Sequence, residues 1–333
     1  MQEFVRKPHG VPEKNFPKIF ELGKAVYGRP SAGNLFEDHR IGVYTDIGFV
    51  PLRSTTSMYQ IPKTPATDQV ISSVIVDDCI MATPFGSPMK QIVMDKFKSH
   101  YVHTTKDPLV NINGCTLHRE RDARRIGITQ PLFLDNMMAQ YPLDEGDEYP
   151  SVPYPYGDYV SAEDRTHQTI YLSASDKRRY QKVLGEILWL KTFSKPEIAF
   201  AHQRLSRVTE PTLYDYNLGV RTIQYCVGTR DKIRWLGGPH GPVITASVDT
   251  SFAPSHNPDL KSQSSWSVHV GGGGASIFDA KKQTVTADSS AAAEAGGTYM
   301  SFPDIKYAFN ILEELGFPQP TAMGIGQDNN SSS

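Results

Sequence analysis

The sequence predicts an α+β fold, and three observations lead to this prediction. Short strand-like runs and helical segments are mixed over residues 1–143. Residues 173–238 show helical spacing of apolar positions, and the residues after 241 return to strands followed by helices. Such a mixture of strand runs and helix runs is typical of α+β architecture. The chain of 333 residues, 39% of them hydrophobic, is long enough for two or three domains.

The clearest element of residues 1–143 is a hairpin within residues 72–81. The apolar residues Val74-Ile75 and Cys79-Ile80-Met81 flank the segment Val76-Asp77-Asp78. This pattern predicts two strands joined by an acidic two-residue turn, because Asp tolerates the backbone angles that such turns need. Helical spacing predicts a helix over residues 88–99 and, after a strand, another over 131–140.

The first candidate site residues are Asp77 and Asp78 at the tip of this hairpin. Carboxylate oxygens are ligands that suit Mg²⁺ or Mn²⁺, and these ions stabilise the attacking and leaving oxygens in phosphoryl transfer. The alternative is an acidic turn that is only solvated. The hairpin pattern by itself is compatible with both.

Residues 144–172 are rich in Pro, Tyr, Asp and Gly, which predicts an extended linker whose tyrosines pack against a domain rather than stack on bases. In residues 173–238, Ser173 or Ser175 is the expected cap of a first helix. Pro196 and Pro211 are expected to begin two further helices, which end near 208 and 226. We expect these three helices to form a compact bundle. The apolar positions assigned to the core side of the first helix are Tyr180, Val183, Leu184, Ile187, Leu188 and Leu190.

Charge is unevenly distributed along the chain, whose net charge is −2. Residues 176–234 contain 12 Lys and Arg against 6 Asp and Glu, and residues 241–333 contain 4 against 9. The basic stretch is either a surface that binds a polyanion or ordinary helix-surface charge.

The three cysteines, Cys79, Cys115 and Cys226, are interpreted as reduced, buried thiols. Without a long apolar run or a secretory leader, the sequence predicts an intracellular protein with no membrane span.

Residues 241–333 are predicted to form a second α/β region. Strands are expected at 243–248, 266–270, 275–278, 283–287 and 321–325, and helices at 291–300 and 303–315. Asp249 follows the first strand, Glu294 lies in the first helix, and Asp328 follows the last strand. These three carboxylates either converge on a divalent metal, as metal-assisted phosphodiester hydrolysis requires, or are surface acids at element ends.

Several segments, in this order, resemble motifs of the copia-type (Pseudoviridae) retrotransposon polyprotein. They are residues 25–33 (AVYGRPSAG), 76–78 (VDD), 181–189 (QKVLGEILW), 194–201 (SKPEIAFA), 248–253 (VDTSFA), 261–266 (KSQSSW), 281–286 (KKQTVT), 289–294 (SSAAAE) and 328–329 (DN). The segment from 181 to 201 is the strongest match. The resemblance covers nearly the whole chain.

The resemblance implies a partial reverse-transcriptase palm in residues 1–143, a helical thumb or connection in 173–238 and a ribonuclease H-like domain in 241–333. Asp77 and Asp78 would bind the polymerase Mg²⁺ or Mn²⁺ ions. Asp249, Glu294 and Asp328 would bind the ribonuclease H metals. The implied partners are an RNA template, a DNA primer, RNA–DNA hybrid and deoxynucleoside triphosphates, with no membrane. The implied location is a cytoplasmic particle or the nucleus.

The sequence also departs from the family pattern. Ser31 stands where the family has Gln, Ile75 where it has Tyr, and Ala292 where it has Glu. The first polymerase Asp strand and the fourth ribonuclease H ligand are expected to lie outside this chain. Two hypotheses follow. The chain is either a segment of a reverse transcriptase and ribonuclease H that cannot polymerise alone, or an inactive, nucleic-acid-binding or structural remnant.

Overall fold

The structure, a computed structural model, describes residues 4–6, 19–21, 32–155, 166–253, 260–320 and 324–326. Within these residues the protein has a mixed α+β fold, as the sequence predicts. The chain divides into two compact units, Met1–Thr104 and Thr105–Ser333. In the part of the chain that is described, no helix combines the length and apolar character that crossing a lipid bilayer requires.

The first unit is built on a four-stranded antiparallel sheet in the order β3-β4-β5-β6. A short antiparallel pair, β1 and β2, precedes it. The elements of this unit are β1 (Phe4–Arg6), β2 (Ile19–Glu21), α1 (Ala32–Ile47), β3 (Val50–Pro51), β4 (Met58–Ile61), β5 (Val70–Ile75), β6 (Asp78–Ala82) and α2 (Met89–His100).

Both long helices of the first unit pack on the same face of this sheet. Tyr44 of α1 and Val93 of α2 share one buried cluster with Val70 and Val74 of β5. Because side chains alternate along a strand, Ile75 lies on the opposite face, where it is 46% exposed. The sheet therefore has one face that forms the core with the helices and a second, more exposed face.

The second unit contains two sheets and a group of helices. One sheet is antiparallel and has the strand order β10-β9-β8-β7. The other has the order β13-β12-β11-β14, in which β14 is parallel to β11 and the remaining strand pairs are antiparallel. The elements are β7 (Asn111–Ile112), β8 (Cys115–Glu120), β9 (Arg125–Thr129), α3 (Pro131–Gln140), α4 (Ala174–Phe193), a 3₁₀ turn (Pro196–Ile198), α5 (Ala199–Ser206), α6 (Leu213–Gly228), β10 (Arg234–Gly237), β11 (Ile244–Ser251), β12 (Gln263–Val270), β13 (Ala275–Lys282), α7 (Ser290–Glu314) and β14 (Ile325–Gly326).

The helices α3, α4 and α6 enclose the largest buried cluster of the second unit, which includes Leu134, Val183, Ile187 and Ile223. The predicted cap of α4 is confirmed, because Ser173 Oγ accepts a hydrogen bond from the Asp176 amide at 3.3 Å. Local signals at the helix ends therefore act together with the apolar stripe to form this layer.

Helix α7 packs on one face of the β11–β13 sheet. Ile305 and Ala308 of the helix join a buried cluster with Ile244 and Val268 of the sheet. A Cβ added at Gly297 would collide with Thr250 Oγ1, so the helix and strand approach closely there. The face that carries Thr250 is thus the face that α7 covers.

Arg234 of β10 joins the helical layer to the β13 strand. Its guanidinium donates to the carbonyls of Thr192 and Phe193 at the end of α4, at 3.0 and 2.8 Å. It also donates to the carbonyls of Ala275 at 2.6 Å and Ser276 at 3.2 Å. Burial lowers the pKa of Arg234, but its hydrogen bonds are all made to fixed backbone acceptors. One side chain therefore satisfies four carbonyls from two elements.

Several predicted elements are confirmed with small shifts. The hairpin and the helices at 88–99 and 131–140 are present as β5–β6, α2 and α3. The turn of the hairpin, however, consists of Val76 and Asp77, whereas Asp78 already pairs with Ile75 as the first residue of β6. Described residues 144–155 contain neither a helix nor a strand, as expected for a linker, and residues 156–165 lie outside the described residues. The rest of the predicted linker is not fully extended, because residues 166 and 167 are helical and Tyr171 forms an isolated antiparallel bridge with Thr212.

Two predictions for the last region are wrong. Residues 283–287 do not form a strand, because the Gln283 side chain turns inward and donates to Ser264 Oγ at 2.9 Å and to the Ala293 carbonyl at 2.6 Å. The two predicted helices are one, α7, which continues through Pro303. Pro303 is exposed, so the backbone bond that a proline removes lies on the solvent side of the helix.

Two burial predictions are also wrong. Leu188, assigned to the core, is 46% exposed, because it lies beside rather than within the stripe formed by Val183, Ile187 and Leu190. Cys79 is exposed, whereas Cys115 and Cys226 are buried free thiols as expected. The position of Cys79 next to the hairpin turn accounts for its exposure.

Two helical glycines give opposite predictions for stability. A Cβ at Gly219 of α6 would lie 2.7 Å from Val183 Cγ1, whereas a Cβ at Gly185 of α4 would meet no atom within 4 Å. We expect Gly185→Ala to stabilise the protein by about 0.5–1 kcal/mol through helix propensity. We expect Gly219→Ala to destabilise it by about 1–2 kcal/mol through overpacking. Urea unfolding of both variants measures the difference, and equal effects would contradict the described crossing of α4 and α6.

Replacement of Arg234 tests its bridging role. We expect Arg234→Met to lower the free energy of unfolding by about 3 kcal/mol or more, because four backbone carbonyls, three of them in partly buried hydrogen bonds, lose a charged donor. Arg234→Lys keeps the charge but not the fork of donors and should lose less. The control is Arg178→Met on the exposed side of α4, with an expected effect within about 0.5 kcal/mol. A loss no greater for Arg234→Met than for Arg178→Met would refute the role.

Candidate functional site

The hairpin between β5 and β6 displays the first two candidate carboxylates. Asp77 and Asp78 are both exposed, Asp77 in the turn and Asp78 at the start of β6. Asp78 pairs with Ile75, so it lies on the exposed face of the sheet rather than on the face covered by α1 and α2. Asp78 is therefore open to solvent on the side away from the core, and Asp77 is exposed in the turn.

The turn of this hairpin has an unusual backbone. Val76 has a φ of 56°, in the left-handed region that β-branched residues rarely adopt. Tight hairpin turns with a positive φ at the first central position ordinarily place Gly there. Such a conformation costs on the order of 1–3 kcal/mol and is found preferentially at functional sites. The strain at Val76 therefore singles out this turn from an ordinary solvated loop.

The base of the hairpin is fixed by a polar triangle below the exposed turn. Tyr44 Oη lies 3.0 Å from Ser72 Oγ and 2.9 Å from Cys79 Sγ, and the last two atoms are 3.0 Å apart. Burial raises the pKa of Tyr44, and the neighbouring Cys79 thiol adds to this effect. The phenol therefore stays protonated, and its neutral hydroxyl ties β5 and β6 to helix α1.

The second group of candidate carboxylates lies in the β11–β13 sheet and on α7. Asp249 is exposed in β11, between the buried residues Val248 and Thr250. Glu294 is 2% exposed and shares the sheet-facing stripe of α7 with Gly297 and Ser301. Because α7 covers the face of Val248 and Thr250, Asp249 lies on the other face of the sheet.

The structure therefore does not bring Asp249 and Glu294 to one side of the sheet. Asp328, the third predicted ligand, lies outside the described residues. Among the described residues, no group of three or more His, Cys, Asp or Glu side chains is placed to hold a metal ion. The convergence of the three carboxylates stays a prediction.

The side chains around Asp249 were missed by the sequence analysis. They form a polar sheet face on the side of the sheet away from α7. The signal that could have identified this face is the apolar–polar alternation of residues 244–249. The residues of this polar sheet face are Thr245, Ser247, Asp249 and Ser251 of β11 and Ser265, Ser267 and His269 of β12.

The basic residues between 176 and 234 are largely engaged within the second unit. Five form ion pairs with acidic side chains and two donate to backbone carbonyls. These seven are Lys177, Arg179, Lys182, Lys191, Lys195, Arg230 and Arg234. These internal contacts engage seven of the twelve basic residues, which favours ordinary helix-surface charge over a polyanion-binding surface.

Comparison of the chain with known protein families, curated proteins and solved structures gives no match.

The hairpin carboxylates give a prediction for metal binding. We expect Mn²⁺ to broaden the amide NMR signals of residues 76–79, with an affinity on the order of millimolar, because only two carboxylates and water would bind it. The double variant Asp77→Asn/Asp78→Asn should abolish this broadening without changing the melting temperature, since both side chains are exposed. Asp122→Asn, an exposed aspartate in another turn, is the control. Unchanged broadening in the double variant would rule out the hairpin as the binding site.

Proposed function

We propose that this chain is a segment of a copia-type retrotransposon polyprotein, comprising the later part of a reverse-transcriptase palm and a ribonuclease H-like region. Its substrate in that setting is the RNA–DNA hybrid, and its metal is Mg²⁺ or Mn²⁺. The chain alone is not expected to extend a DNA primer, because Asp77 and Asp78 form only part of a polymerase metal site.

The observation that carries this proposal is the order of elements after residue 241. Three antiparallel strands are followed by the long helix α7 and then by β14, which returns parallel to β11. Parallel neighbours place their carboxyl ends at the same edge of a sheet, where catalytic groups commonly lie. Asp249 lies in the first strand and Glu294 in the helix, which is the element order that the family resemblance implies.

The first unit gives independent support. Asp77 lies in the strained turn, and Asp78 follows it at the start of β6, on the exposed face of an antiparallel sheet whose other face is covered by two helices. An acidic turn that is only solvated needs neither the left-handed Val76 nor the fixed base beneath it. The combination fits a carboxylate pair presented to a metal-bound substrate.

The second candidate function is a remnant without turnover, at most a binding or structural protein. One observation favours it, namely the placement of Asp249 and Glu294 on opposite sides of the sheet. A two-metal mechanism needs ligands that share the ions. Because seven of the twelve basic residues in 176–234 are engaged internally, fewer cations of this layer are left to contact nucleic acid.

Cleavage of a labelled RNA–DNA hybrid with Mn²⁺ separates the two candidates. If the chain is an active ribonuclease H, Asp249→Asn should lower the rate by about 100-fold or more, through loss of a metal ligand. Asp288→Asn, an exposed acid in the same region, should leave the rate unchanged. No metal-dependent product, or equal rates for wild type and Asp249→Asn, would end the enzyme proposal and leave the inactive remnant.

A further inference from the structure

The polar sheet face contains a serine and a histidine that neither metal site uses. Ser267 and His269 are two residues apart in β12, so their side chains lie on the same face. Both are partly buried, and their cross-strand partners in β11 are the exposed, small residues Ser247 and Thr245. Exposed residues therefore flank the pair on the side of β11.

The hydrogen bonds of His269 determine which ring nitrogen carries the proton. Its Nδ1 lies 2.9 Å from the carbonyl oxygen of Gly273, and its Nε2 lies 2.9 Å from Ser267 Oγ. A carbonyl oxygen can only accept, so Nδ1 must donate. In the neutral ring Nε2 is then the acceptor, and the Ser267 hydroxyl donates to it.

The Gly273 carbonyl that orients His269 is itself held by a tight contact between two turns. A Cβ at Gly273 would collide with the carbonyl of Gly237, and one at Gly271 would lie 3.0 Å from the Gly241 carbonyl. The Gly274 amide donates to the Trp235 carbonyl at 2.7 Å. Close packing of residues 237–241 against 271–274 therefore fixes the acceptor and, through it, the imidazole.

We propose that Ser267 is a nucleophile activated by His269, and that its substrates are carboxylic esters. Ser267 Oγ bonds to the ester carbonyl carbon while its proton passes to Nε2 of His269. The ester C–O bond then breaks, and the alcohol leaves with that proton. Water attacks the acyl-serine with His269 again taking and returning a proton, which releases the carboxylic acid. The net reaction is ester plus water to acid plus alcohol.

Nearby hydroxyls provide an internal comparison. Ser265 lies on the same face of the same strand, and its cross-strand partners are Asp249 and Ala280. Hydrogen bonding to an imidazole acceptor is the feature that distinguishes Ser267 from it. General-base assistance of this kind contributes about 10²–10⁴-fold to a rate. Ser267 should therefore react much faster than Ser265 with a serine-directed electrophile.

The experiment treats the full chain with a fluorophosphonate and maps the modified peptide by mass spectrometry. We expect the adduct on Ser267, its loss in Ser267→Ala, and a labelling rate about 100-fold lower in His269→Gln. The rate of p-nitrophenyl acetate hydrolysis should likewise be highest in the wild-type chain, lower in His269→Gln and lost in Ser267→Ala. Ser265→Ala should be labelled at the wild-type rate.

Two results would overturn the proposal. One is labelling of Ser267 in the wild-type chain that is no faster than labelling of Ser265 or Ser247. The other is an equal rate in wild type and His269→Gln, when circular dichroism shows the same fold for both. The first result requires no variant, so a misfolded substitution cannot obscure it.

Discussion

The second unit depends on the guanidinium of Arg234. The last carbonyls of a helix have no intrahelical donor, and two of those at the end of α4 accept from this side chain. The same group donates to the Ala275 and Ser276 carbonyls of β13 and lies 4.9 Å from the Phe278 ring centroid. The buried positive charge of the guanidinium is tolerated only because its N–H groups all donate hydrogen bonds to backbone carbonyls. The helical layer and the strand are thereby held in one arrangement.

Other basic residues also donate hydrogen bonds to groups within the second unit. Lys195, 1% exposed, donates to the carbonyl and hydroxyl of Thr229 at 2.5 and 3.1 Å, at the end of α6. Lys191 binds Asp279 of β13 at 2.8 Å. Burial alone would raise the pKa of Asp279, but bonds from Lys191 and its neighbours lower it. Cations that complete helix ends and strand contacts in this way have little capacity left for phosphates.

The sequence predicted an element correctly where residues close together in the chain determine it. The prediction failed where a contact with a residue distant in the sequence determines the structure. The α4 cap at Ser173 and the β5–β6 hairpin depend on residues within a few positions, and both are confirmed. Gln283 was assigned to a strand, yet its side-chain amide donates hydrogen bonds to Ser264 and to the Ala293 carbonyl of α7. The prediction of the candidate site had the same limit. The sequence placed Asp249 at the end of a strand, but it could not show which face of the sheet α7 covers.

The face of the β11–β13 sheet that α7 covers determines whether Asp249 and Glu294 can bind the same metal ion. Side chains alternate with a period of two, so only a one-residue shift of β11 would bring Asp249 to the side of Glu294. The same shift would expose Val248, which is now 3% exposed, and forfeit about 1.5–3 kcal/mol of burial. It would also separate Thr250 from the close contact at Gly297. The packing of α7 thus opposes the arrangement that a shared metal needs.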